Sequence, residues 1–124
     1  MCELLNEGPP HPEGLTVSQL ALVAPFEEGK TNYSGEELVE RAVSLNSRFG
    51  QHTAEYLEEH AQEIPEEWFP EGEYIVFPET TWRVQSGKVA MPFVRQIREQ
   101  FWEKGDAFPE LGFTPKVRLL VARS

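Results

Sequence analysis

The hydrophobic pattern of this chain changes its period at the connector formed by residues 65–70, and this change constrains the fold more than any other feature. Before the connector, apolar residues recur every three or four positions, as in amphipathic helices. After it, they alternate with polar residues, as in β-strands. We therefore predict an α+β domain in which two or three N-terminal helices pack on one face of a C-terminal antiparallel meander of four or five strands.

Two helices are predicted before the connector. Ser34 can cap the free amide of Glu37, and the Glu37 side chain can reach back, so a helix is expected to begin here. Its apolar stripe is formed by Leu38, Ala42, Leu45 and Phe49. Gly50 is the expected residue after its C-terminus. A second helix is expected over residues 52–63, ended by Pro65.

The first 24 residues carry weaker signals. Residues 1–14 contain three prolines and two glycines, which indicates a flexible tail before a single domain over residues 15–124. Residues 15–24 fit either a short helix or a strand. The single cysteine, Cys2, excludes an intramolecular disulfide. No apolar run approaches the roughly 20 residues of a membrane helix, so we expect a cytoplasmic protein that does not bind membranes.

The second half of the chain reads as a meander. Strands are predicted over residues 74–77, 80–84, 88–94 and 116–123, with a hairpin turn at Ser86-Gly87. Residues 95–104 fit a helix or a strand, and continuation of the meander favours a strand. In the last strand, Val117, Leu119 and Val121 are expected to face the core and Leu120 the opposite side. An antiparallel sheet can leave one face open, which would be the natural binding surface.

Charge is divided unevenly along the chain. Residues 1–70 hold fourteen glutamates and three basic residues, a net charge of −11. Residues 71–124 hold seven acidic and eight basic residues, a net charge of +1, so the whole chain carries −10. Direct binding to nucleic acid is not expected, because it requires a basic face. An acidic half instead suits a basic protein partner.

The sequence contains no recognisable catalytic set. Cys2 has no base fixed near it, and the serines lie in capping or turn contexts. His60 and Glu63 lie three positions apart on one helix face, which is only part of a metal-ligand set. We therefore expect no catalytic residue, no metal and no cofactor, and the sequence favours a protein without enzymatic activity but does not decide the question.

These observations favour a small acidic interaction or regulatory protein that binds another macromolecule. The candidate binding residues are an aromatic and charged set on the predicted sheet and acidic positions on the second helix: Trp82, Arg83, Glu79, Trp102, Glu55 and Glu59. Two alternatives stay open. One is an enzyme or small-ligand binder with a site across the sheet near Glu79 and Arg83. The other is a homodimeric structural protein.

Overall fold

The structure is a computed structural model that describes residues 3–25, 34–68, 73–98 and 101–123. At five positions inside these ranges only the backbone is described: Glu66, Ile97, Arg98, Phe101 and Trp102. The strands are β1 (Glu3–Asn6), β2 (Leu20–Val23), β3 (Tyr74–Val76), β4 (Thr81–Arg83), β5 (Val89–Arg98), β6 (Phe101–Ala107) and β7 (Val117–Ala122). The helices are α1 (Gly35–Ser44) and α2 (Gln51–Glu59), with short 3₁₀ turns at Val17–Gln19, Ala61–Glu63, Glu66–Trp68 and Pro109–Leu111.

The strands form one mixed, curled sheet in the order β1-β4-β5-β3-β7-β2. β6 pairs with the second edge of β5, since Phe93, Val94 and Arg95 each face β3 on one side and β6 on the other. β3 and β7 run parallel, with Ile75 opposite Arg118, whereas the other described pairs are antiparallel. β2 lies at the end of this order, and its partner β7 is far from it in sequence.

The sheet is covered on both faces. Ile75 and Leu120 point to one side, where they pack with Leu57 of α2. Their neighbours Val76 and Leu119 point to the other side, where they pack with Leu38 of α1. We call these sides the α2 face and the α1 face. All four of these β3 and β7 side chains are buried. Neighbouring residues reach different faces because successive residues of a strand point to opposite sides.

The predicted fold class is therefore wrong. The described residues hold two α-helices on opposite faces of a seven-stranded mixed sheet, where two or three helices on one face of four or five antiparallel strands were expected. The prediction failed because β2 lies ahead of both helices and pairs with β7, and because β7 pairs in parallel with β3. The open face expected as a binding surface is absent at β3 and β7.

The two helices themselves were predicted, but both end earlier than expected: α2 ends at Glu59, where a helix over residues 52–63 was predicted, and Gly50 was placed after the wrong helix. The Ser34 hydroxyl accepts a hydrogen bond from the Glu37 amide at 3.1 Å, so the predicted cap is confirmed. α1 ends at Ser44, and Asn46 takes the left-handed conformation with φ of 60°. Gly50 is instead the residue that precedes α2, so its predicted place after α1 was wrong. Asparagine tolerates the left-handed region better than most residues, which explains the earlier end.

Thr80 supplies the cap that the start of α2 lacks. Its side chain is buried; the hydroxyl accepts from the Gln51 amide at 2.8 Å and donates to the Glu7 carbonyl at 2.6 Å. A Cβ at Gly50 would lie 2.5 Å from this oxygen, and one at Gly8 would lie 2.7 Å from it. These five residues form the Thr80 junction, which joins the N-terminal segment, α2 and the turn before β4.

The segment predicted as a flexible tail makes defined contacts from residue 3 onward. β1 pairs with β4, with Leu4 opposite Trp82. The His11 ring stacks on the Tyr56 ring of α2 with 4.0 Å between centroids. The His60 ring stacks on the other face of Tyr56, also with 4.0 Å between centroids. The flexibility of residues 1–14 stays a prediction, whereas their contacts place residues 3–14 against β4 and α2.

Strands are present at the four predicted positions although they do not form a meander, and Pro92 shows how the sheet accommodates a residue without an amide hydrogen. Pro92 lies inside β5 and accepts a hydrogen bond from the Phe77 amide at 3.0 Å. It has no N–H to return to the Phe77 carbonyl, which instead accepts from Thr80 at 3.3 Å. The turn between β3 and β4 therefore falls at the position where Pro92 breaks the hydrogen-bond ladder.

Residues 95–98 and 101–104 belong to β5 and β6, as the favoured strand prediction required. Residues 15–24, left open between helix and strand, form the 3₁₀ turn Val17–Gln19 followed by β2. Across the described ranges, no helix is long and apolar enough to cross a lipid bilayer.

Candidate functional site

A concave surface with a volume of about 1040 Å³ lies on the α1 face of the sheet. It runs between the first turns of α1, the hairpin turn that joins β4 to β5, and the turn Pro109–Leu111. We call it the α1 groove. Among the described residues its lining consists of Ser34, Gly35, Glu36, Val39, Glu40, Gly87, Lys88, Val89, Met91, Pro109, Glu110, Leu111 and Gly112.

Two glycines hold the walls of the α1 groove in place. Gly35 lies directly against Pro109, so that a Cβ at Gly35 would collide with the proline ring and backbone. The start of α1 is therefore fixed against the turn Pro109–Leu111. Gly87 has φ of +90°, which allows the tight hairpin turn closed by the Val84 amide and the Lys88 carbonyl at 2.9 Å. Both walls are defined by backbone contacts.

The floor and one end of the α1 groove are apolar. Met91 is buried in the floor, whereas Val39 remains 40% exposed. Leu111 is 67% exposed on the opposite wall, the highest exposure recorded for a large apolar residue in the described ranges. Val43, 61% exposed, follows Val39 one turn later on the same side of α1. Exposed apolar side chains, Val39 and Leu111, therefore lie on two walls of the α1 groove.

The rim of the α1 groove is mainly acidic. Glu36 and Glu40 lie one helical turn apart on α1, and Glu110 lies on the facing turn. Lys88 is the only basic residue in the described lining, and its Nζ is 3.4 Å from the Glu110 carboxylate. Because Lys88 offsets one of three carboxylates, the rim keeps a net negative charge that attracts cations.

Glu79 and Arg83, expected as a pair, have different partners. The Glu79 carboxylate lies 2.8 Å from Nε of Arg48, which follows α1 in sequence. Arg83 points to Glu3 of β1, with 3.9 Å between Nη1 and Oε2. The two side chains have different partners because Glu79 belongs to the turn after β3, whereas Arg83 is the last residue of β4.

The other candidate residues also lie away from the α1 groove. Trp82 is half-buried and lines a second pocket of about 350 Å³ on the α2 face. Trp102 lies opposite Gln96 in the β5–β6 ladder, and its side chain is outside the described part of the structure. Glu55 and Glu59 are exposed on α2. None of the five candidates with described side chains lines the α1 groove.

The signal that could have located the α1 groove lies in α1 itself. Val39 and Val43 are apolar but stand beside the stripe of Leu38 and Ala42 that enters the core. Together the two stripes give this short helix an apolar surface that is wider than one buried face requires. Leu111 had no such signal, because a single leucine between Pro109 and Gly112 fits a surface turn as well as a core contact.

His60 and Glu63 approach each other as their spacing predicted, with 3.9 Å between Nε2 and Oε2. The second ring nitrogen of His60 donates to the Tyr56 carbonyl at 2.8 Å. Within the described residues, no group of three or more histidine, cysteine, aspartate or glutamate side chains is placed to hold a metal ion.

No family model, curated protein or solved structure matches this chain. The α1 groove can bury aliphatic side chains on its floor and can bind ammonium or guanidinium groups at Glu36 and Glu40.

Proposed function

We propose that this protein is a small non-enzymatic interaction protein whose α1 groove binds a basic, amphipathic segment of another protein. The supporting observation is the combination of exposed Val39 and Leu111 with the carboxylates of Glu36 and Glu40 around one groove. Apolar side chains of the partner lose contact with water on the floor. Lysine or arginine side chains of the same segment form charge-assisted hydrogen bonds at the rim.

A protein segment fits the α1 groove better than the other ligand classes. Its volume of about 1040 Å³ is at the upper limit of pockets for small molecules, which is roughly 300–1,000 Å³. Nucleic acid is disfavoured because Glu36, Glu40 and the net charge of −10 repel phosphate. A segment of several residues can occupy the length of the groove and satisfy both its floor and its rim.

A direct test uses a fluorescein-labelled peptide that combines leucine and lysine, together with a matched peptide in which glutamate replaces each lysine. We expect the lysine peptide to bind and to raise fluorescence anisotropy saturably, and the glutamate peptide not to bind. The affinity for the lysine peptide should fall as salt is raised, since the rim carboxylates are exposed. Equal binding of both peptides would contradict the proposed role of the acidic rim.

Variants locate the peptide on the protein. Leu111→Ser should weaken binding by about tenfold to a hundredfold, because burial of a leucine side chain contributes about 1.5–3 kcal/mol. Glu36→Gln combined with Glu40→Gln should reduce the salt dependence. The matched control is Glu55→Gln combined with Glu59→Gln on α2, which should leave the affinity unchanged. Loss of binding in the control alone would place the partner on α2 and refute the α1 groove as its site.

A further inference from the structure

The second concave surface, which we call the Trp82 pocket, lies on the opposite face of the sheet from the α1 groove. It is lined by Gln51, Trp82, Val84, Pro92, Lys104, Gly105 and Asp106. The alternation of β5 separates the two surfaces: Val89 and Met91 line the α1 groove, whereas Pro92 lines the Trp82 pocket. A ligand in one surface therefore has no contact with the other.

The apolar side of the Trp82 pocket is formed by rigid groups. Trp82 is held in β4, where it pairs with Ala90 of β5 on one side and Leu4 of β1 on the other. Pro92 is buried, and Val84 is half-buried. The exposed part of the indole therefore provides a fixed surface that loses little side-chain freedom when a flat molecule stacks on it.

The polar side of the Trp82 pocket offers hydrogen-bond donors and acceptors together. Lys104 and Asp106 lie two residues apart on the same face of β6, about 7 Å along the strand. Lys104 Nζ also lies 3.9 Å from the Glu58 carboxylate of α2. Gln51, the first residue of α2, adds a side-chain amide that can both donate and accept. The charged lining residues Lys104 and Asp106 together carry no net charge.

We propose that the Trp82 pocket binds a small, uncharged heteroaromatic molecule whose ring carries donors and acceptors on one edge, as the base of a free nucleoside does. The ring stacks on Trp82, and its edge faces Lys104, Asp106 and Gln51. The volume of about 350 Å³ is at the lower limit for ligand pockets, which excludes long or branched molecules. The net charge of −10 disfavours phosphorylated forms of the same ligand.

The test is a titration of the ¹⁵N-labelled full chain with adenosine, guanosine, cytidine and uridine, followed by NMR. At least one nucleoside should cause saturable shifts of the Trp82 indole N–H and of the Gln51 and Gly105 amides. Ribose should cause none, because it has no ring to stack on Trp82. The 5′-monophosphate of the best nucleoside should bind more weakly than the nucleoside itself.

Variants make the result decisive. Trp82→Ala should weaken nucleoside binding by about tenfold or more, in line with the contribution of base stacking on aromatic side chains. Trp82→Phe retains a ring and should bind with intermediate affinity, which covers the case in which the alanine variant does not fold. Asp106→Asn should change the order of preference among the four bases. Leu111→Ser, on the other face, should bind nucleosides as the parent protein does.

The proposal is overturned if none of the four nucleosides shifts these resonances up to its solubility limit. It is also overturned if a folded Trp82→Ala variant binds as tightly as the parent, or if the shifts map to the α1 groove. In each of these cases Trp82 has no role in binding a ligand. The peptide experiment on the α1 groove is unaffected by any of these outcomes, because the two surfaces share no lining residue.

Discussion

Leu119→Ala and Leu120→Ala should each lower the free energy of unfolding by about 2–5 kcal/mol. Both side chains are fully buried, but on opposite faces of β7: Leu119 packs on the α1 face and Leu120 on the α2 face. Each truncation therefore leaves a cavity in a separate hydrophobic cluster. A sheet with one open face predicts a large loss for Leu119→Ala and almost none for Leu120→Ala.

Urea denaturation followed by circular dichroism measures both losses, with an unchanged m-value as evidence that the folded state is still compact. Val43→Ala is the control, because Val43 is 61% exposed on α1 and its truncation should change stability by no more than about 0.5 kcal/mol. If either leucine variant fails to fold, the corresponding Leu→Met exchange, expected to cost less than about 1.5 kcal/mol, allows the comparison. A loss confined to Leu119 would refute the two-faced sheet.

Thr80→Val should cost about 2–3 kcal/mol although it changes neither the size nor the branching of the side chain. The hydroxyl both caps the Gln51 amide and binds the Glu7 carbonyl. Its removal leaves two backbone groups without this partner, each worth about 1–3 kcal/mol when buried, and the cap of α2 is lost. The methyl group that replaces the hydroxyl must also fit against Gly8 and Gly50, which lie close to this position.

The control for this prediction is Thr80→Ser, which retains the hydroxyl and should cost only about 1 kcal/mol for the missing methyl group. Hydrogen exchange of the first amides of α2 should be faster in Thr80→Val than in Thr80→Ser, since only the valine variant removes their cap. Equal stability of the two variants would show that the Thr80 junction contributes packing without a hydrogen-bonded cap.

Local signals predicted the elements that depend on neighbours in sequence. Ser34 and Glu37 are three residues apart, so their cap was readable, and so was the hairpin turn at Gly87. Contacts between residues that are distant in sequence could not be predicted from local patterns. The cap of α2 comes from Thr80, 29 positions after Gln51, and for this reason Gly50 was assigned to the wrong helix.

The sequence did contain a signal that both faces of the sheet are covered, but the alternation of apolar and polar residues in the neighbouring strands obscured it. Leu119, Leu120 and Val121 form a continuous apolar run, which is typical of a strand buried on both sides. Simple alternation predicts that only every second residue of this strand faces the core. The segment Leu20–Val23, which forms β2, is a second continuous apolar run of this kind. Neither run specifies its partner, so the parallel pairing of β3 with β7 could not have been inferred.

The candidate surfaces were predictable only in part. Trp82 was expected at a binding site and lines a pocket, whereas the α1 groove was not predicted. Its walls come from α1, the β4–β5 turn and the turn Pro109–Leu111, and only tertiary packing at Gly35 and Pro109 brings them together.

The place of β7 between β3 and β2 governs how quickly the native state can be reached. Leu20 pairs with Ala122 and Tyr74 pairs with Val117, so both edges of β7 meet partners far back along the chain. Such pairings have high contact order, and closing these loops costs entropy before any contact is gained. Folding in milliseconds to seconds is the expected regime, with β7 docking as the step on which the rate depends.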